Sequence, residues 1–300
     1  MTDLPLRRID LSTGVSLDVA VAGDPAAPPI ILLHGFPESH RTWRHQIPVL
    51  AKDHYVIAPD QRGYARSSKP DGVENYAARH IIGDLMALAD ALSVDRFALV
   101  GHDWGGAIAW GAALGQPHRV ERLAIVNAPH PYLFQRALID DPDQRLASQY
   151  ITRFRDTGID QGLTGAGLER FFGTTFAKVL TTVVAGEDKA AYLDEWSQPG
   201  AMTGMLNWYR ASNFVVPAPG EDVPRPAMLD QPFPAVTQPT LVIWGLDDKA
   251  LLARMNADLG DYVTDLTLVE VPGAGHFIPW EKPDAVTEPL VAWLARTQVS

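Results

Sequence analysis

Phe97-Ala98-Leu99-Val100-Gly101-His102-Asp103-Trp104-Gly105-Gly106 is the stretch that decides how this chain folds. Phe97 to Val100 is an apolar run of the kind that forms a buried strand, and a helical pattern begins right after Trp104. Between them stands Gly-x-Asp-x-Gly. Glycines on both sides permit a strained strand-to-helix turn that lifts its middle side chain above a sheet. That side chain is usually a serine, and here it is Asp103. A serine alkoxide attacks acyl carbon. A carboxylate is a weak acyl nucleophile, but it displaces a leaving group from saturated carbon and leaves an alkyl ester. Aspartate is also a favoured helix N-cap, so capping competes with catalysis at this position until other residues are counted.

Outward from the turn, strands and helices alternate. Val15 to Val21 alternates apolar and polar residues, as a half-buried strand does. Pro29 to Leu33, Tyr55 to Ala58, Leu123 to Val126, Thr240 to Trp244 and Leu266 to Val271 supply further strands. Tyr76 to Leu92 reads as a helix with Ala77, Ile81, Leu85, Leu88 and Leu92 on one stripe and Asn75 as its cap. Such alternation predicts an α/β fold, a mostly parallel sheet with helices on both faces.

Between Ala128 and Pro239 the alternation stops. Helical spacings dominate there: Leu146/Tyr150/Phe154, Leu168/Phe171/Phe172/Phe176 and Met202/Leu206/Tyr209. Val215 to Pro239 carries seven prolines and cannot be a helix or an inner strand. The expected organisation is a core of residues 1–128 and 239–300 with an inserted helical cap, 129–238, closed by a Pro-rich return loop.

Composition narrows the function classes. Three hundred residues, 46% hydrophobic and 20% charged, are those of a globular chain able to bury a large core. A formal net charge of -11 argues against nucleic acid or an anionic membrane as partner. With no cysteine there is no disulfide framework, no thiol chemistry and no thiolate zinc site. Met1-Thr2-Asp3-Leu4-Pro5 lacks the basic-then-apolar pattern of a signal peptide, so a cytoplasmic enzyme is expected.

Three more pieces bear on chemistry. Leu33-His34-Gly35-Phe36-Pro37 ends a strand, and the Phe36 N–H paired with that of Trp104 would make an oxyanion hole. Gly245-Leu246-Asp247-Asp248 follows another strand and offers an acid; the two aspartates are adjacent, and spacing from Gly245 favours Asp248. Gly273-Ala274-Gly275-His276-Phe277 follows the next strand, with glycines freeing the backbone beside His276. His40, His45, His54, His80 and His118 are read as surface or structural residues. Each piece alone is weak. Their order, nucleophile then acid then histidine, is that of hydrolases built on this turn.

Along essentially its whole length the chain resembles an α/β-hydrolase of the epoxide hydrolase family. The resemblance rests on His34-Gly35-Phe36-Pro37-Glu38-Ser39, Asp60-Gln61-Arg62-Gly63-Tyr64, Gly101-His102-Asp103-Trp104-Gly105-Gly106 and Gly275-His276-Phe277. It implies that Tyr150, in Ser148-Gln149-Tyr150-Ile151-Thr152-Arg153-Phe154, and Tyr209, in Asn207-Trp208-Tyr209-Arg210-Ala211, donate hydrogen bonds to an epoxide oxygen. On spacing alone both tyrosines would be core aromatics. The resemblance also implies an apolar pocket at Phe36, Pro37 and Trp104, a small apolar epoxide as substrate, and no cofactor or metal. One position departs: the family's Arg-Gly-Tyr-Gly reads Arg62-Gly63-Tyr64-Ala65 here, at a loop that would favour a flexible residue. Two other readings share the sequence features. Dehalogenases use the same Asp nucleophile, but haloalkane dehalogenases usually carry Asn where this chain has Phe36. Fluoroacetate dehalogenases carry arginines where it has Trp104 and Ala107. A non-catalytic, hydrolase-like binding protein would need no intact nucleophile, acid and histidine.

Overall fold

The strands of the computed structural model, which describes residues 5–175 and 180–296, form one eight-stranded sheet. They are β1 (Leu6–Asp10), β2 (Ser16–Ala22), β3 (Pro29–Leu33), β4 (Tyr55–Pro59), β5 (Phe97–His102), β6 (Val120–Val126), β7 (Thr240–Gly245) and β8 (Leu266–Val271), in the spatial order β1-β2-β4-β3-β5-β6-β7-β8. β1 and β2 pair antiparallel, as do β2 and β4; every pairing from β4 to β8 is parallel. The central strands are apolar on both faces because both faces are covered. Ile31, Leu33, Leu99 and Ile125 pack with residues of α2 (Ala78–Ala91) and α3 (Trp104–Gly115). Ile30, Leu32, Val100 and Ala124 point the other way, onto α1 (Ile47–Leu50) and α12 (Pro283–Leu294). The α/β architecture expected from the sequence is the one observed.

Between β6 and β7 run α4 (Pro131–Asp140), α5 (Pro142–Ala147), α6 (Gln149–Arg155), α7 (Ala166–Thr175), α8 (Leu180–Val183), α9 (Gly186–Ser197) and α10 (Ala201–Ala211). After β8 comes α11 (Ile278–Glu281). The segment from Val215 to Pro239 holds one 3-10 turn, Ala227–Leu229, and a single bridge from Val236 to Val263. Among the described residues no helix is long and apolar enough to cross a membrane.

Several local expectations are corrected. β1 adds a strand the sequence pattern does not announce: Arg7, Arg8 and Asp10 mask its alternation, and as an edge strand it is largely exposed. Asn75 does not cap α2. It lies inside a 3-10 turn, Val73–Tyr76, and its amide donates to the Asp71 carbonyl, while extended Ala77 starts the helix. Leu146 does not share a helix with Tyr150, because the chain breaks at Ser148 and leaves Leu146 62% exposed. Phe176 and Met1 to Leu4 lie outside the described residues.

Candidate active site

Asp103, Asp248 and His276 follow the carboxyl ends of β5, β7 and β8, where a parallel sheet leaves room for a ligand. Asp103 has φ 50° and ψ -122°, a backbone that a non-glycine residue adopts only when its surroundings impose it. The glycines around it serve close approach. A Cβ on Gly101 would stand 2.4 Å from the Gly105 carbonyl oxygen, and one on Gly35 would stand 2.3 Å from the Asp103 Cβ. Although Asp103 occupies the N-cap position of α3, its side chain makes no cap hydrogen bond. The carboxylate instead accepts the Phe36 N–H at 2.8 Å and approaches His276 Nε2 at 3.4 Å. The Asp103 side chain thus does not serve as the cap of α3. Trp104 opens α3, so its N–H is among those with no partner inside the helix.

Across the site, His276 Nδ1 lies 2.7 Å from Asp248 Oδ2. Asp248 is buried and saturated: Oδ2 also accepts the Asn127 side-chain amide at 2.8 Å, and Oδ1 accepts the N–H groups of Ala250 and Leu251 at 2.8 and 2.9 Å. Its neighbour Asp247 is exposed and makes none of these contacts. Burial alone would lower the His276 pKa, but the Asp248 charge, the hydrogen bond to Asp103 and the Asp103 charge raise it well above 6.5. Burial would raise the carboxylates, yet hydrogen bonding and charge from His276 hold both Asp103 and Asp248 below their ordinary value. Each of the three groups is thus biased toward its charged form by the other two.

Tyr150 on α6 and Tyr209 on α10 sit 6.1 Å apart, ring to ring, at 81°. Phe36 and Trp104 contact Tyr209 edge-on at 5.1 and 5.0 Å. Burial, with the Asp103 charge added, pushes both phenols well above their ordinary pKa, so each remains a neutral O–H donor. Asp103, Tyr150 and Tyr209 line two cavities at once. One, ≈ 740 Å³, also touches Phe36, Phe154, Phe171 and His276. The other, ≈ 40 Å³, is bounded by Trp104, Ala107, Phe134, Ile151 and Leu251. Pro37, expected to line the pocket, lines neither. It is buried, and its carbonyl accepts the Trp196 indole at 2.7 Å.

Two further contributors carry little signal in the sequence. Asn127, at φ 40°, uses its amide to hold Asp248 and its carbonyl oxygen to accept the Gly245 N–H at 2.8 Å. The one signal for it is an Asn placed directly after a strand, a residue that tolerates left-handed backbone. His102 is fully buried, 3.1 Å from Glu38, and donates through Nε2 to the His276 carbonyl at 2.8 Å. His34 is a brace: its Nε2 accepts the Gln61 N–H at 3.0 Å, leaving Nδ1–H for the Gly35 carbonyl at 2.9 Å. His40 is buried against Asp60 at 2.9 Å. Ala65 keeps left-handed backbone, φ 45°, without the glycine that would suit it.

Residues 28–283 match the alpha/beta hydrolase fold family. The AB hydrolase superfamily protein YfhM of Bacillus subtilis is 34% identical, across 94% of this chain and 96% of that protein. Epoxide hydrolase A of Mycobacterium tuberculosis is 32% identical, across 97% of each. Among solved structures, one of a set of novel epoxide hydrolases from metagenomes of hot environments superimposes with a TM-score of 0.90 at 47% identity, covering 99% of this chain and 100% of that one. An inhibitor-bound epoxide hydrolase of Bacillus megaterium gives 0.84 at 27% identity, covering 97% and 100%.

Proposed function

We propose that this chain, which belongs to the epoxide hydrolase family of the α/β-hydrolase fold, converts an epoxide to a vicinal diol through an ester on Asp103. The observation that carries the reading is the Asp103 carboxylate, which does not cap its own helix, held by the Phe36 N–H and set below two neutral tyrosines. In the first half-reaction a carboxylate oxygen of Asp103 bonds to a ring carbon. The carbon–oxygen bond breaks, and the electron pair goes to the ring oxygen, which takes a proton from Tyr150 or Tyr209. Positioned acids of this kind contribute about 10²- to 10⁴-fold.

Esterification removes the Asp103 charge, one of the two that keep His276 protonated. The imidazolium then loses its proton, which restores the tyrosine, and neutral His276 remains with Asp248 fixing its Nδ1–H. His276 Nε2 takes a proton from water, and the hydroxide attacks the ester carbonyl of Asp103. The oxyanion is held by the N–H groups of Phe36 and Trp104. Collapse releases the alkoxide, which takes the remaining proton of that water. Asp103 is again a carboxylate and His276 an imidazolium. Residues 129–238, carrying Tyr150 and Tyr209, serve as the cap that closes this reaction from solvent.

A single turnover of styrene oxide in heavy-oxygen water tests the reading. The first diol should carry no label, and the label should appear in the peptide containing Asp103. Label in that first diol would mean direct attack by water. Halide release from a haloalkane with no epoxide turnover would assign the site to dehalogenation.

A further inference from the structure

His276 stands on a loop that nothing in the site so far explains. The loop leaves β8, passes Gly273 at φ 69°, and turns into α11 within a few residues. Loops of this kind are the mobile part of most folds, yet the reaction needs the imidazole fixed between Asp248 and Asp103. On the carbonyl side, His102 donates to the His276 C=O at 2.8 Å. On the amide side, one carboxylate takes both flanking N–H groups. Gly275 N–H donates to Glu281 Oε2 at 2.7 Å, and Phe277 N–H donates to Glu281 Oε1 at 3.1 Å. Glu281 is the last residue of α11 and borders the same large cavity as His276. The fit leaves little slack: a Cβ on Gly275 would lie 3.0 Å from Glu281 Oε1.

We propose that Glu281 is a positioning residue for the hydrolytic half-reaction, clamping the backbone on both sides of His276 so that the imidazole meets the ester-bound Asp103. This rests on the reading of Asp103 and His276 above. Two charge-assisted hydrogen bonds to one rigid acceptor hold a loop far better than two separate neutral ones. A displaced base costs rate even where every catalytic group is intact; about 1 Å is worth roughly 10²-fold. The alkylation step uses Asp103 and the tyrosines, which Glu281 does not touch, and depends on His276 only through the charge that helps keep Asp103 ionised, so the cost falls mainly on ester hydrolysis.

Glu281→Gln keeps the size and one acceptor but points an amide N–H at one of the two backbone N–H groups. Alkylation and ester hydrolysis are measured separately by rapid quench with styrene oxide and intact mass. Alkylation should stay within about twofold of wild type, and ester hydrolysis should slow about 10- to 100-fold. In steady state kcat and KM then fall together, leaving kcat/KM nearly unchanged, because ester accumulates. A general loss of structure would not produce that split. Gly275→Ala, which presses on the same carboxylate without altering charge, should give the same pattern. Equal losses in both steps, or no change in hydrolysis for a folded variant, would overturn the role of Glu281. If wild type itself forms no ester, the Asp103 reading fails and not the clamp alone.

Discussion

Replacing Asp248 with asparagine tests the site at its most constrained point. The carboxylate accepts four hydrogen bonds: two backbone N–H groups on Oδ1, and His276 Nδ1 and the Asn127 amide on Oδ2. Asparagine keeps a single oxygen. The two backbone donors at 2.8 and 2.9 Å claim it, so the new NH2 group faces His276 and Asn127. Asn127 cannot turn to oblige, because its own oxygen is engaged by the Gly245 N–H. The relief left is a tautomer change that puts the His276 proton on Nε2, the nitrogen facing Asp103. An imidazole in that state cannot take a proton from water. In the Ser-His-Asp hydrolases the equivalent change costs ~10⁴-fold; at about 1.36 kcal/mol per decade this is ~5 kcal/mol on the hydrolytic barrier. Alkylation suffers less, since it loses only the imidazolium that helps keep Asp103 ionised. Rapid mixing of Asp248→Asn with styrene oxide, followed by intact mass, should reveal enzyme carrying one epoxide that persists long after wild type has turned over. Asp247→Asn, at the exposed neighbour, should behave as wild type. If Asp248→Asn hydrolyses its ester at the wild-type rate, or Asp247→Asn is the more impaired, the tautomer argument is refuted.

Stability offers two further checks. Ala65 pays for left-handed backbone, about 1–2 kcal/mol for a residue with a Cβ, partly offset by the greater unfolded-state freedom of glycine. Ala65→Gly should raise the unfolding free energy by up to ~1 kcal/mol, read from the urea midpoint, without touching kcat, and a lower midpoint would refute the strain. The three charged groups give a pH signature. Asp103 and Asp248, depressed below 3.8, add stability above that pH and lose it as pH falls toward their folded values. His276, raised above 6.5, adds stability that is complete below 6.5 and is lost as pH rises toward its folded value. Their combined contribution is greatest between 3.8 and 6.5. His276→Gln should therefore cost more stability at about pH 5.5 than at about pH 9, as read from urea midpoints; equal costs would count against the ion pairing.

The central strands, the turn at Asp103 and the order of Asp103, Asp248 and His276 were legible because each depends on a local pattern: apolar runs, flanking glycines, polar residues just past strand ends. Local reading failed where partners are distant. β1 carries Arg7, Arg8 and Asp10, and only its antiparallel pairing with β2 makes it a strand. Leu146 and Tyr150 keep helical spacing, yet a break at Ser148 parts them. Asn127 meets Asp248 across 121 positions and His102 meets the His276 carbonyl across 174, separations that no window of sequence spans. Gly-x-Asp-x-Gly suggested glycine conformational freedom; the strained torsion instead falls on Asp103, and Gly101 is needed for the room it leaves Gly105.

The two cavities that meet at Asp103 are unequal, ≈ 740 Å³ against ≈ 40 Å³. The walls of the smaller include Trp104, Phe134, Ile151 and Leu251. A molecule lying across the carboxylate meets the roomier space on one side and the tighter, apolar one on the other. In the proposed reaction, packing of the larger substituent among Phe36, Phe154 and Phe171 would bias which ring carbon meets Asp103, so handedness in the product would be written in aromatic side chains remote from the bonds that change.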